Sequence, residues 1–310
     1  MSLKDGIKLQ GVIPATLLAF DTDFEIDEKS SRKHIKECAL TEGISAITVN
    51  GHSSEVHACS FEEQKRILNF SVEEANGITH VINGVYADGS IEAAKIAKMS
   101  SQNGASALLC FPPQSMSMGG HLRPEMALEH FKRIADVTDL PLICFNYPSA
   151  GNLTYPFETL LKLFETVPTI KAIKDWSNDP MLHEKHIKTF QNLKNPVNVL
   201  TTHSSWLMSS LVMGAKGLLS GAGSVIANLQ VSLFKAVKNK DLNAAQEIND
   251  KIFPLAQAFY TPPFLDMHNR MKEVLVLMGK MERAIVRPPL MKLNVTELNN
   301  LKEALKQSGI

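Results

Sequence analysis

Three stretches, SALLCFP at 106–112, PLICFNYP at 141–148 and IKAIKDWS at 170–177, decide the fold. Each is a short apolar run ending in polar or turn-forming residues, and each is followed by an amphipathic stretch of helical period. Reading outward, the same rhythm appears in GVIPATLLAF from 11, ISAITVNG from 44 and THVINGVYA from 79, and again in VNVLTTHS from 197 and KGLLSGAG from 216. Successive starts lie 33, 35, 27, 35, 29, 27 and 19 residues apart, the lengths that strand, loop, helix and loop require. Helix signals fall between them: Ser60 with Glu63 reads as a capping box, Gly104 as a helix stop, and Pro124 as a first-turn proline.

Eight alternating units allow a closed barrel or a doubly wound open sheet. The first strand-to-helix junction, LLAFDTDFEID at 17–27, has no glycine, so the fingerprint of a dinucleotide-binding sheet is missing. The sequence therefore predicts an α/β chain, a (β/α)8 TIM barrel over residues 1–225. From 226 to 310 the β-like runs stop, and LNAAQEINDKIFPLAQAFY from 242 and MHNRMKEVLVLMGKMERAI from 267 read as a C-terminal helical extension.

The 310 residues carry 32 Lys and Arg against 32 Asp and Glu, so there is no basic excess to neutralise phosphates and no nucleic-acid partner is expected. No long apolar stretch predicts a membrane span, and MSLKDGIKLQ lacks the apolar core of a signal peptide, so a cytoplasmic protein is expected. Cys38, Cys59, Cys110 and Cys144 are widely spaced and read as reduced structural thiols.

Barrel chemistry gathers at the C-terminal ends of strands. In IKAIKDWS, Lys174 shares a face with Ala172 and Trp176; turned inward, it is a desolvated amine and a candidate nucleophile, and turned outward it snorkels or pairs with Asp175. Phe145 and Tyr147 share a face of the preceding strand, so Tyr147 is either an acid/base group or a rim tyrosine. NGHSSE places His52, Ser53, Ser54 and Glu55 after strand two, where hydroxyls and N–H groups can bind a carboxylate or form an ordinary turn. Strand eight ends in SGAGSV, where Gly221 and Gly223 allow close backbone approach to a ligand and a phosphosugar site is a rival reading. His121, His203 and Glu55 form no recognised metal-ligand spacing, so no metal is expected.

Taken together, GVIPATLLAF, NGHSSE, FNYP, AIKD and the tail RPPLMKLNVTELNNLKEAL resemble, in order and spacing, the dihydrodipicolinate synthase and N-acetylneuraminate lyase family of class I aldolases. NGHSSE stands at the family's Gly-Thr-Thr-Gly-Glu motif, FNYP at its Tyr-Asn-x-Pro and AIKD at its Gly-Ile-Lys-Asp/Glu. The resemblance implies a Schiff base between Lys174 and pyruvate or another 2-oxo acid, without cofactor. It also implies a carboxylate held by Ser53 with Ser54 beside it, a pocket bordered by Phe145, Leu219 and Gly221, and a homo-oligomer, dimer or tetramer.

Departures are equally specific. Phe145 replaces the proton-relaying tyrosine and His52 the first threonine. FPPQSMSMGG lacks the loop tyrosine, and Ala150 stands where synthases carry an arginine for the aldehyde's carboxylate. Tyr147 and His52 are the candidate substitutes for the relay. With Ala150, Met116 and Met118 expected near the mouth, a less anionic distal group is favoured. A lyase acting by aldol cleavage, condensation or dehydration of a 2-keto-3-deoxy acid is expected. The rivals are a catalytically weakened binding protein, a synthase-like activity and a phosphosugar enzyme.

Overall fold

The computed structural model describes residues 6–310. Eight parallel strands run β1 Gly11–Pro14, β2 Ala46–Val49, β3 His80–Val85, β4 Ala107–Cys110, β5 Leu142–Asn146, β6 Ile170–Asp175, β7 Asn198–Thr201 and β8 Gly217–Ser220. Every strand pairs in parallel with the next in sequence, β1 pairs with β8, and the bridges Val12–Ile44 and Ala15–Thr48 join β1 to β2, so the sheet closes on itself. At the β1–β8 seam a Cβ on Gly217 would lie 2.2 Å from the carbonyl oxygen of Gly11, which is why this position has no side chain.

Helices α1 Glu28–Ala39, α2 Phe61–Ala75, α3 Ser90–Gln102, α4 Pro124–Ala135, α5 Phe157–Thr166, α6 Pro180–Phe190, α7 Leu207–Met213 and α8 Gly223–Lys238 follow the strands in turn. Local chemistry sets their ends. Ser60 and Glu63 form the reciprocal capping box of α2, Gly104 takes a left-handed conformation just past α3, and Pro124 is the first residue of α4. The expected division at 225 falls inside α8, and the eighth unit is complete only at Lys238. Three further helices follow, α9 Leu242–Phe259, α10 Met267–Leu277 and α11 Val295–Ser308. The helix expected to run on through Ile285 ends at Leu277, because Gly279 adopts a left-handed φ of 69°.

Alternation along the strands divides the apolar residues into two cores. Ile13, Ile82, Leu109, Ile143, Ala172, Leu200 and Leu219 fill the barrel interior, while the opposite strand faces pack against the ring of helices. All four cysteines are buried and unpaired. No helix among the described residues is long and apolar enough to cross a membrane.

Candidate active site

Lys174 lies near the C-terminal end of β6, on the inward face with Ala172 and Trp176. Its side chain is only 6% exposed, and its Nζ sits 4.1 Å from the ring centre of Phe145, its register partner on β5. Burial in this apolar setting lowers its pKa to about 7. Lys174 thus neither reaches solvent nor pairs with Asp175. That carboxylate faces the other way, where its Oδ2 accepts from Nδ1 of His183 and of His186, both at 2.7 Å, and its Oδ1 accepts from the Ser177 N–H. Burial by itself would raise the Asp175 carboxyl, yet these two histidines hold it well below the usual range. Asp175, His183 and His203 bring potential ligand atoms within 4.8 Å of one another. Those atoms are already hydrogen-bonded, His203 Nε2 to the Asn178 N–H and His183 Nε2 to the Ser210 hydroxyl, so the group braces β6 from behind.

Around Lys174 is a chamber of about 30 Å³, room for at least one water molecule. Its walls come from Ala15, His52, Ser53, Phe145, Trp176, Thr202, Gly221, Tyr260 and Met267. His52 and Ser53 sit on a short turn, His52–Ser54, that follows β2 and is closed by Glu55 in a left-handed conformation. The Ser53 hydroxyl donates to the carbonyl of Ala15 at 3.0 Å. Ser54 is turned away from the chamber and donates to the carbonyl of Thr16 at 2.8 Å. Gly221 borders the chamber, whereas Leu219 lies below it in the packed interior.

Tyr147 and His52, two sequence candidates just past the ends of β5 and β2, are hydrogen-bonded through the phenol oxygen and Nε2. Both rings pack against Phe145. Burial drives the Tyr147 phenol well above its ordinary pKa. Burial, with the nearby charges of His268 and Lys174, drives His52 well below its own. Both groups are therefore neutral near pH 7, and the contact between them is a hydrogen bond between a neutral phenol and a neutral imidazole.

Trp176, Thr202 and Tyr260 are shared between this chamber and a wider cavity of about 360 Å³ that also takes in Ala150 and Phe264. Met116 and Met118, expected at the mouth, line neither space. The loop after β4 coils into two short turns about Gly119, which has a φ of 100°. These bury Met116 among the outer helices and leave Met118 93% exposed.

Residues that sequence reading did not single out complete the walls. Tyr260, at the end of α9, accepts from the Ala222 N–H at 3.3 Å, and Met267 begins α10. Their distance along the chain from the strand ends left no local signal. Glu55 is fully buried and receives Lys272 Nζ at 2.5 Å on one oxygen and the Arg287 N–H at 2.9 Å on the other. Lys272 also donates to the carbonyl of Ile285 at 2.7 Å. An α10 lysine thereby anchors the turn that carries His52 and Ser53.

Comparison with known proteins agrees with this architecture. The model of the dihydrodipicolinate synthetase family matches residues 8–308. The 4-hydroxy-tetrahydrodipicolinate synthase of Methanopyrus kandleri is 28% identical, over 98% of this chain and 98% of its own length. That of Maridesulfovibrio salexigens is 27% identical, over 97% and 99%. Among solved structures, dihydrodipicolinate synthase from Aquifex aeolicus superposes with a TM-score of 0.86 at 26% identity, covering 97% of this chain and 98% of that one. YagE, a prophage protein of the same family from E. coli K12 solved in complex with pyruvate, gives 0.89 at 22%, covering 97% and 99%.

Proposed function

The chain belongs to the dihydrodipicolinate synthetase family and is a lyase of the class I aldolase type, and on that premise we propose that Lys174 forms a Schiff base with pyruvate. The observation that carries this reading is the burial of Lys174 in a chamber shared with His52 and Ser53, which brings its pKa to about 7.

The neutral amine attacks the ketone carbon of pyruvate, and the resulting hydroxyl takes up a proton and leaves as water, giving an iminium. Loss of a proton from the methyl carbon gives an enamine. Its carbon bonds to the carbonyl carbon of an aldehyde, whose oxygen takes up a proton, and water then releases the 4-hydroxy-2-oxo acid and free Lys174. Cleavage is the reverse. Dehydration of a 2-keto-3-deoxy acid begins from the same iminium, with the electron sink serving loss of hydroxide in place of carbon–carbon bond formation.

Two roles remain. Phe145 has no titratable group, so the proton is carried by the hydrogen-bonded Tyr147–His52 pair. Ser53 holds the substrate carboxylate by exchanging its bond to the Ala15 carbonyl for one to the ligand, while Ser54 secures the turn. The reading of a weakened binding protein is favoured by Phe145 alone.

Borohydride reduction in the presence of pyruvate, followed by mapping of the adduct, tests the reading directly. A stable adduct on Lys174 is expected, and an adduct on another lysine, or none, sinks it. Tyr147→Phe and His52→Ala are each expected to lower turnover by about 10²-fold while trapping is retained. Full turnover in both variants would remove the pair from the mechanism. Because the amine reacts only when neutral, the initial trapping rate is expected to rise about tenfold between pH 6 and 8 and then level off. A rate that climbs only above pH 9 means an ordinary, solvated lysine.

A further inference from the structure

The wider cavity beyond Lys174 bears on the second half of the substrate and so rests on the Schiff-base reading. No Asp, Glu, Lys or Arg lines it. The one titratable imidazole in its wall, His203, is held neutral by burial, with a pKa of about 3, and its Nε2 is occupied by the Asn178 N–H. A carboxylate or phosphate entering here loses its hydration and meets no opposite charge.

One wall is aromatic. Trp176 stacks on Phe145 at 6.3 Å between centroids and 23° between planes, which fixes its ring as a flat surface where the two spaces join. Phe264 stands edge-on to Trp176 at 6.2 Å and 74°. It is 45% exposed, so core packing does not account for an apolar ring at this rim. The cavity, about 360 Å³, falls within the usual range of small-molecule sites, about 300–1,000 Å³. Neutral hydrogen-bonding groups, Ser205, Gln257 and Thr261, lie in the remaining wall.

We propose that the aldehyde joined to, or released from, pyruvate is uncharged and aromatic, its ring lying on Trp176 with the edge of Phe264 beside it. A polyol aldehyde would satisfy the neutral polar wall but would leave the Phe264 ring without a partner. An aldehyde bearing a second carboxylate would satisfy neither wall.

With pyruvate as donor, kcat/KM is compared for benzaldehyde, D-glyceraldehyde and succinate semialdehyde. Benzaldehyde is expected to exceed succinate semialdehyde by roughly tenfold or more, as a buried unpaired charge requires, and also to exceed glyceraldehyde. Phe264→Ala, a half-exposed position where folding is not at stake, is expected to cut the benzaldehyde-to-glyceraldehyde ratio roughly threefold to tenfold. Ala150→Arg, on an exposed loop at the rim, is expected to shift the preference toward succinate semialdehyde by roughly tenfold. A wild-type preference for glyceraldehyde or succinate semialdehyde, or ratios that neither variant moves, overturns the proposal. Borohydride trapping run on the same enzyme separates the two levels. An adduct on Lys174 without aryl preference defeats the aromatic assignment alone, and no adduct defeats the Schiff base beneath it.

Discussion

Lys174→Ala is expected to abolish borohydride trapping of pyruvate and to reduce turnover to background, because no other amine borders the chamber. Alanine alone cannot separate lost chemistry from lost packing, so Lys174→Met, which keeps most of the side chain's volume, is the companion. In the unfolded chain the lysine titrates at 10.5, whereas in the folded chamber it titrates at about 7. Between these values the unfolded state binds the extra proton, so stability of the native enzyme rises with pH across that window. The corresponding cost at pH 7 is about 4 kcal/mol. Lys174→Met removes it, and the variant is expected to unfold at higher denaturant concentration than the native enzyme at pH 7, with the gap narrowing steadily toward pH 10. A gap that stays constant with pH, or a methionine variant that still traps pyruvate, contradicts the assignment.

Lys272→Met is expected to give the largest loss of stability, about 3–5 kcal/mol, because it leaves the fully buried Glu55 without its counter-charge. Glu55→Gln in the same chain restores much of this, since both charges are then gone and the amide can still accept the Arg287 N–H. Urea unfolding of the two single variants and the double variant closes the cycle. If the double variant is as weak as the sum of the singles, Glu55 and Lys272 do not act as a pair. Turnover in the double variant adds a second readout, because the pair anchors the turn bearing His52 and Ser53.

Local periodicity made the barrel legible. Because a strand alternates its side chains, Ala172, Lys174 and Trp176 had to share a face, while the inward direction of that face is seen only in the folded barrel. Tyr147 was placed beside Phe145 by the same rule, and register across β5 and β6 did the rest. Partners distant along the chain left no such mark. Nothing near residue 55 announces a lysine at 272, and nothing near 174 announces Tyr260, since these meet only once α9 and α10 have docked on the barrel. The methionines of the β4 loop were misplaced because two consecutive short turns about a left-handed glycine reverse the chain, a geometry that composition does not reveal. The hydroxyls of Ser53 and Ser54 were indistinguishable in sequence, and only their different carbonyl partners tell them apart.

The late-arriving walls also set an order of events during synthesis. Residue 174 leaves the ribosome well before Tyr260, Met267 and Lys272 do. Until Tyr260 and Met267 complete the walls, the Lys174 amine is less desolvated and its pKa lies nearer the ordinary lysine value. On the Schiff-base reading, the amine therefore reaches its full reactivity toward a ketone near neutral pH only once the final helices have closed the chamber.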